Sequence, residues 1–390
     1  MKIVLVNVTY KKGSTGSIVG NLFDKFSEEG NETYYIYGRG PKIFAENVFK
    51  RTLELESKIH HFVSKISGNM YGGMFFSTKR IIRLIKKIKP DVVNLHCVNG
   101  YFVNIYKLIS WLAKNKIKTV LTMHADFMMT GGCGYALDCD KYINNECKNC
   151  QFVRDFNGKL SLNRTNHFYK KLKKSISKFD KELLTVSTVS PWLKDRYSLS
   201  GIYRNYYIQT IINPVEKIFF CEPSNNPYKY TKNVLYVTPD IYDFVKSGWL
   251  IKDIASLRPD LHFTIVCTKD VDFAFNNENI TYIKGGLTRE KLRDYYFFAD
   301  VTLILSKRET FSMVVGESLA CGTPVVGFKS GGPETITLEK YSNFIEYGDI
   351  KGIAKVLCKY DYDKNVIRKE ASKKYGIISI SKQYLELFKR

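Results

Sequence analysis

Apolar positions in the first part of the chain switch back and forth between two periods. Residues 2–8 form a short β-branched run, residues 17–29 repeat apolar positions at helical spacing up to Gly30, and residues 33–37 return to the strand pattern. Strand, helix, strand is the signature of a βαβ unit. The alternation continues with a helix that ends before Pro90, a strand over 91–96, a helix near 104–114 and a strand over 118–123. Crossover helices between strands predict one doubly wound parallel sheet.

A second series begins after Asn213 and Pro214. It reads strand 234–238, helix 246–257, strands 262–267 and 281–284, helix 289–298, strand 301–306, helix 312–320 and strand 324–328. This predicts a second sheet of the same kind, with the boundary and a hinge near residues 200–215, where periodicity is lost over 198–205. A chain of 390 residues suits two domains, since single cores stop growing at roughly 250–300 residues.

Ligands of open α/β sheets lie beyond the carboxyl ends of the strands, so the loops there are where chemistry is expected. After the first strand, Gly13-Ser14-Thr15-Gly16-Ser17 opens a helix whose free N–H groups could meet a phosphate. The spacing fits neither G-x-G-x-x-G nor a P-loop, so a plain turn stays open beside an anion site. After residues 301–306 the chain reads Lys307-Arg308-Glu309-Thr310-Phe311-Ser312, then a helix with Glu317 and Ala320-Cys321-Gly322-Thr323-Pro324. Glu309 and Glu317 lie eight apart, so both carboxylates can accept hydrogen bonds from sugar or ribose hydroxyls while the helix start meets phosphate.

The stretch 309–336, ETFSMVVGESLACGTPVVGFKSGGPETI, resembles the E-x7-E block and Gly-Gly turn of the retaining GT-B glycosyltransferases of family 4. The likeness extends to GSTGS near the N-terminus, YGRG at 37–40, DVVNLHCVNGYFVNI at 91–105 and HADFMMTGGCGYALDCDKYINNECKNCQ at 124–151. These look like a subgroup acting in capsule, exopolysaccharide and O-antigen assembly. The resemblance implies an α/β GT-B fold, two doubly wound Rossmann-like domains facing across a cleft. It implies an acceptor-binding domain over 1–205 with a Cys-rich insertion at 131–151, a nucleotide-sugar domain over 206–370, and a helix over 371–390 crossing back to the first domain. A retaining transfer from a UDP- or GDP-linked sugar to a saccharide or lipid-linked saccharide acceptor follows from it, with no catalytic metal.

Carried over residue by residue, the resemblance makes Glu309 the donor-sugar contact, Glu317 the ribose contact and His124 the active-site histidine, beside the plainer reading of a loop histidine at a strand end. It adds Gly13, Ser14, Thr15, Gly16, Lys246, Lys307, Arg308, Thr310, Phe311 and Ser312 on the donor side, and His96, Asn99, Tyr101 and Asp126 on the acceptor side. The family usually pairs an arginine with a lysine after the first strand of its second domain. Here the stretch is TPDIYDFVKSGW: Lys246 fills the lysine position, no arginine stands at the other, and Lys307 or Arg308 is left to replace it. A sugar-nucleotide epimerase of the same fold and a non-catalytic scaffold in an assembly complex remain as alternatives.

Composition changes this picture in two places. A net charge of +22 calls for an anionic partner. The basic residues concentrate in two amphipathic stretches, 79–89 and 169–181, which read either as solvated helix faces or as contacts to an anionic membrane surface. Aromatics are not interleaved with them, which argues against nucleic acid. No run reaches the roughly 18 apolar residues of a membrane span and the start of the chain does not resemble a secretory signal, so the expected location is the cytoplasm, with the inner face of the plasma membrane as a peripheral site. Second, Cys133, Cys139, Cys147 and Cys150 form C-x5-C-x7-C-x2-C. A structural zinc, packed free thiols and disulfides all stay open, the last disfavoured in a reducing compartment.

Overall fold

The strand that starts the chain, β1 (Lys2–Asn7), buries five of its six residues. A near-continuous apolar run of this kind marks a strand covered on both faces, which is the environment of a parallel sheet. The computed structural model describes residues 1–144, 147–269, 275, 277–357 and 362–390, with the side chains of 155 and 156 left aside. Residues 145 and 146 of the expected Cys-rich insertion therefore lie outside the described residues. The chain divides into two units, Met1–Ile211 with Ser381–Arg390, and Ile212–Ile380.

In the first unit β1 is followed by α1 (Gly13–Glu28), β2 (Glu32–Tyr37), β3 (Val48–Lys50), α2 (Glu54–Ser67), α3 (Phe75–Ile88), β4 (Val92–Leu95), α4 (Ile105–Lys114) and β5 (Thr119–Met123). Then come α5 (Val153–Asn157), α6 (Thr165–Ile176), β6 (Leu184–Thr188), α7 (Pro191–Leu199) and β7 (Tyr207–Thr210). The seven strands lie in the order β3-β2-β1-β4-β5-β6-β7, and every pairing is parallel. The order reverses between β1 and β4, so the crevice beyond their carboxyl ends falls between the loops 8–12 and 96–104. The basic helices expected at 79–89 and 169–181 are α3 and α6. Their apolar faces, Ile81, Leu84, Ile85 and Ile88 on α3 and Phe168, Tyr169, Leu172 and Ile176 on α6, are buried in the unit itself.

The second unit runs β8 (Asn233–Thr238), α8 (Ile251–Leu257), β9 (His262–Cys267), β10 (Ile280–Lys284), α9 (Arg289–Phe298), β11 (Val301–Ile304) and α10 (Met313–Ala320). It closes with β12 (Val325–Phe328), α11 (Gly332–Ile336), β13 (Ser342–Ile345), α12 (Ile350–Val356) and α13 (Lys364–Tyr375). Its parallel sheet has the order β10-β9-β8-β11-β12-β13, reversing between β8 and β11. Val234, Phe263, Ile265, Leu303, Val326 and Phe328 fill the core between this sheet and its helices. Both halves are doubly wound α/β sheets, as the periodicity predicts.

Two helix starts differ from expectation. The helix expected from residue 17 already begins at Gly13, whose φ of +72° is a turn that a β-carbon would strain. Gly13–Gly16 is thus its first turn. The helix expected from residue 246 begins five residues later, after a 3-10 turn at Gly248–Leu250. The reason is local: Ser247 takes φ +52°, and Asp243 Oδ1 accepts hydrogen bonds from the backbone N–H of Val245 at 2.8 Å and Lys246 at 3.0 Å. Short polar side chains that capture nearby N–H groups in this way compete with helix.

The last helix, α14 (Ile377–Lys389), ends in the first unit. Phe26 of α1 meets Tyr384 and Phe388 with ring centroids 6.4 and 5.6 Å apart, and Lys118 Nζ donates to the Phe388 carbonyl at 3.2 Å. Among the described residues no helix is long and apolar enough to cross a membrane. Because Phe388 is 2% exposed, Phe388→Ala should destabilise the first unit by about 3–5 kcal/mol. Hydrogen exchange across β1 and β5 should show the loss, while the strands of the second unit keep their protection.

Candidate functional site

Three loops beyond the carboxyl ends of β8, β11 and β12 are stitched together in the second unit. Lys307 N–H donates to the Val245 carbonyl at 2.7 Å, Glu309 N–H to Ser330 at 3.0 Å, and Gly332 N–H to Glu309 at 2.8 Å. The last two make a short parallel bridge between Glu309 and Gly331. The approach leaves no room for a side chain at 332, since a β-carbon there would stand 2.3 Å from the Thr310 carbonyl.

Inside this frame Lys246 Nζ makes an ion pair with Glu309 Oε1, and Ser306 Oγ lies 3.5 Å from the same oxygen. The side chains remain 27% and 13% exposed, so the pair is reachable from solvent but held by its surroundings. Tyr236 O–H donates to the Lys246 carbonyl at 3.0 Å, and Ser247 Oγ meets Tyr347 Oη at 2.8 Å, which pins the turn carrying the lysine. Lys307 Nζ lies over the rings of Phe244 and Tyr347 at 5.2 and 5.9 Å. Arg308 is half-buried, and Thr310, Phe311 and Ser312 are buried where the loop turns into α10.

Glu317 sits on α10 in a different setting. Arg289 Nη1 donates to its Oε1 at 3.4 Å, and Tyr296 O–H to its Oε2 at 3.1 Å. Arg289 also pairs with Glu216 at 3.1 Å. Burial pushes the Glu317 carboxyl up to about 7, with Arg289 and the Tyr296 hydrogen bond pulling the other way. The two glutamates are therefore in one unit but answer to different cations. Arg289 and Tyr296 were not singled out from the sequence, where they read only as the start and interior of a helix.

In the first unit the candidates gather at the β1/β4 reversal. His96 Nδ1 lies 3.2 Å from His124 Nε2, and His96 Nε2 lies 2.7 Å from Asn94 Oδ1. Asn94 Nδ2 in turn donates to Thr122 Oγ1 at 2.9 Å and to the Val120 carbonyl at 3.1 Å. Burial holds His96 well below its ordinary value, helped by His124, and lowers His124 to about 4. Both rings are neutral near pH 7. Cys97 N–H donates to Asn7 Oδ1 at 3.2 Å, and its thiol is pushed up to about 11 by burial, opposed by a hydrogen bond with Thr15. That contact brings the Gly13–Gly16 turn beside the loop after β4. Lys12 gives the turn no side-chain cap, and Gly13 and Ser14 are exposed.

The remaining acceptor-side candidates divide. Asn99 is half-buried in the same loop. Tyr101 O–H is committed to Ser64 at 2.8 Å and Asn157 at 3.3 Å. Asp126 is fully buried; Arg196 Nε and Nη2 donate to its two oxygens at 3.1 Å each, and Ala136 N–H donates at 2.8 Å. It anchors the Cys-rich loop to α7. Cys133, Cys139, Cys147 and Cys150 are free. Burial raises Cys133 to about 12 and Cys147 to about 11, with smaller contributions from neighbouring thiols in the cluster. Among the described residues no three His, Cys, Asp or Glu side chains are grouped so as to hold a metal ion.

Two segments of the chain match known families. Residues 232–360 match the family described as glycosyl transferases group 1, and residues 47–134 match the family described as glycosyl transferase 4-like. The D-inositol 3-phosphate glycosyltransferase of Nocardiopsis dassonvillei is 40% identical over 70 residues, 18% of this chain and 16% of the relative. The N-acetyl-alpha-D-glucosaminyl L-malate synthase of Bacillus anthracis is 34% identical over 67 residues, 17% of this chain and 18% of the relative. The matched parts thus span less than a fifth of these curated relatives. Among solved structures, sucrose-phosphate synthase from Thermosynechococcus elongatus aligns with a TM-score of 0.66 at 15% identity, covering 100% of this chain and 98% of the other. HepE from Anabaena in complex with UDP aligns with a TM-score of 0.63 at 12% identity, covering 100% of both chains. The fold is GT-B.

The Glu317 environment sets a pH dependence. Between the ordinary carboxyl value of 4.5 and about 7, the folded protein keeps a proton that the unfolded chain has released. Stability contributed by this group therefore falls as pH rises through that window, by about 3 kcal/mol in all. Glu317→Gln should flatten this part of the curve, which urea midpoints measured at pH 5 and pH 7 would reveal.

Proposed function

We propose that the chain is a retaining glycosyltransferase that moves a sugar from a nucleotide-sugar donor to a saccharide or lipid-linked acceptor in surface-polysaccharide assembly. The observation that carries the reading is the Lys246–Glu309 ion pair at the sheet reversal of the second unit, framed by the stitched loops 239–247, 305–312 and 329–332. On this reading residues 206–370 hold the donor and residues 1–205 the acceptor, and residues 371–390 complete the first domain. A UDP-linked donor is favoured because HepE, similar in fold, was solved with UDP and with UDP-glucose.

Transfer passes through an oxocarbenium-like transition state while negative charge grows on the departing diphosphate. Lys246 is paired with Glu309; Lys307 and Arg308 stand on the adjoining loop and would take the place of the missing arginine. A diphosphate drawing on Lys246 would free the Glu309 carboxylate to accept hydrogen bonds from sugar hydroxyls, a positioning role and not that of a covalent nucleophile. Glu317 would take the ribose hydroxyls, sharing its oxygens with Arg289 and Tyr296. His124, neutral and braced by His96 and Asn94, can donate or accept a hydrogen bond at the acceptor without adding a cation. The protein would work at the inner face of the plasma membrane, drawn there by its positive charge.

Glu309→Ala and Lys246→Ala should each slow transfer at least about tenfold, the scale of losing one transition-state contact. A thermal-shift panel of UDP-, GDP- and ADP-sugars should raise the melting point by several degrees for the true donor. Unchanged rates in both variants, or no response to any sugar nucleotide, would defeat the proposal. Nucleotide release without an acceptor would mark an epimerase instead.

A further inference from the structure

Helix α2 is amphipathic the wrong way round for a soluble surface. Its buried residues are Glu56, Ser57 and Ser64, whereas Leu55, Ile59, Phe62, Val63 and Ile66 are exposed, Leu55 and Phe62 at 71% and 66%. The spacing of the exposed five places them on one stripe about 100° wide.

The orientation is fixed by hydrogen bonds on the inner, polar side. The Glu56 carboxylate accepts from Phe76 N–H at 2.8 Å, Ser77 N–H at 2.9 Å and Ser77 O–H at 2.6 Å. Ser64 Oγ meets Tyr101 Oη at 2.8 Å and donates to Asn157 at 3.1 Å. Rotating the stripe inward would break every one of those hydrogen bonds.

The same anchors lengthen the apolar surface. Glu56 holds the start of α3, where Phe75 and Phe76 are exposed at 53% and 65%. At the other end Leu162 N–H donates to the Ile66 carbonyl at 3.2 Å, and Leu160 and Leu162 are exposed beside it.

We infer that this face of the first unit docks the protein on an anionic lipid bilayer, with α2 lying in the plane of the interface. The choice of lipid rests on charge. Lys58 and Lys65 lie along one edge of the stripe, and Lys159 and Arg164 flank the exposed leucines, all exposed. Between residues 53 and 90 the acidic residues are Glu54, paired with Lys50, and Glu56, buried. An apolar stripe with lysines at its edge matches acyl chains and headgroups together, the lysine stems reaching outward to phosphate. A second copy would set the same lysines against each other across a two-fold axis. Beyond Phe75 and Phe76 at its start, α3 buries its apolar face in the core, as α6 does, so α2 supplies most of the surface that can insert. The inference deepens the membrane location proposed above and does not depend on the identity of the donor.

The test is co-sedimentation of the full chain with phosphatidylcholine vesicles and with equimolar phosphatidylcholine and phosphatidylglycerol. Wild type should prefer the anionic vesicles. Ile59→Ser with Phe62→Ser should weaken partitioning at least about tenfold with an unchanged melting temperature and an unchanged response to nucleotide sugar. Phe75→Ser with Phe76→Ser should act in the same direction from the other helix, which guards against one variant folding poorly. If the variants bind as well as wild type, the docking face lies elsewhere and the membrane location survives. If wild type ignores both vesicles, both fall. A wild-type dimer that the variants split into monomers would overturn the lipid in favour of a second copy.

Discussion

Parallel strands covered on both faces leave polar chemistry little room except in the loops beyond their carboxyl ends, and both sheets obey this constraint. In the second unit it brings together segments about 60 residues apart, the turn at Lys246 and the loop at Glu309, and ties them to the Gly331-Gly332 turn through backbone hydrogen bonds. In the first it sets the Gly13–Gly16 turn beside Cys97, and His96 beside His124. The reversal in strand order at β1/β4 and at β8/β11 opens each crevice.

Within those crevices burial and pairing give chemically similar groups different characters. Glu309 stands opposite Lys246 with part of its surface in water, and Glu317 is buried against Arg289 and Tyr296 with its carboxyl raised to about 7. Low dielectric penalises the charged form of any group, so it raises that carboxyl and lowers His96 and His124.

The surface carries a second division of labour. Basic residues are spread over α3, α6 and the loops, and among the described residues Leu55, Ile59, Phe62, Val63 and Ile66 leave apolar surface outside along α2. A polar inner face fastened by Glu56 and Ser64 is the price of presenting leucine, isoleucine and phenylalanine outward. Charge alone would draw the chain toward any polyanion; the docking face proposed on α2 would narrow the choice to one with a hydrocarbon interior.

Much of the architecture was legible because it is local. Continuous β-branched runs announced β1, β4, β5, β8, β9, β11 and β12, helical periodicity announced the helices between them, and the eight-residue spacing of Glu309 and Glu317 marked the loop after β11. Short edge strands such as β7, with no residue buried, carry no such signal. The sequence by itself determined the two doubly wound sheets and the loops that follow their strands, since strand and helix periods are properties of neighbouring residues. Only the tertiary structure decided that Asp126 is sealed by Arg196 seventy residues away, that Glu317 is shared with Arg289, and that α2 turns its apolar side out. Those outcomes depend on which groups long-range packing removes from water, and no local pattern records that.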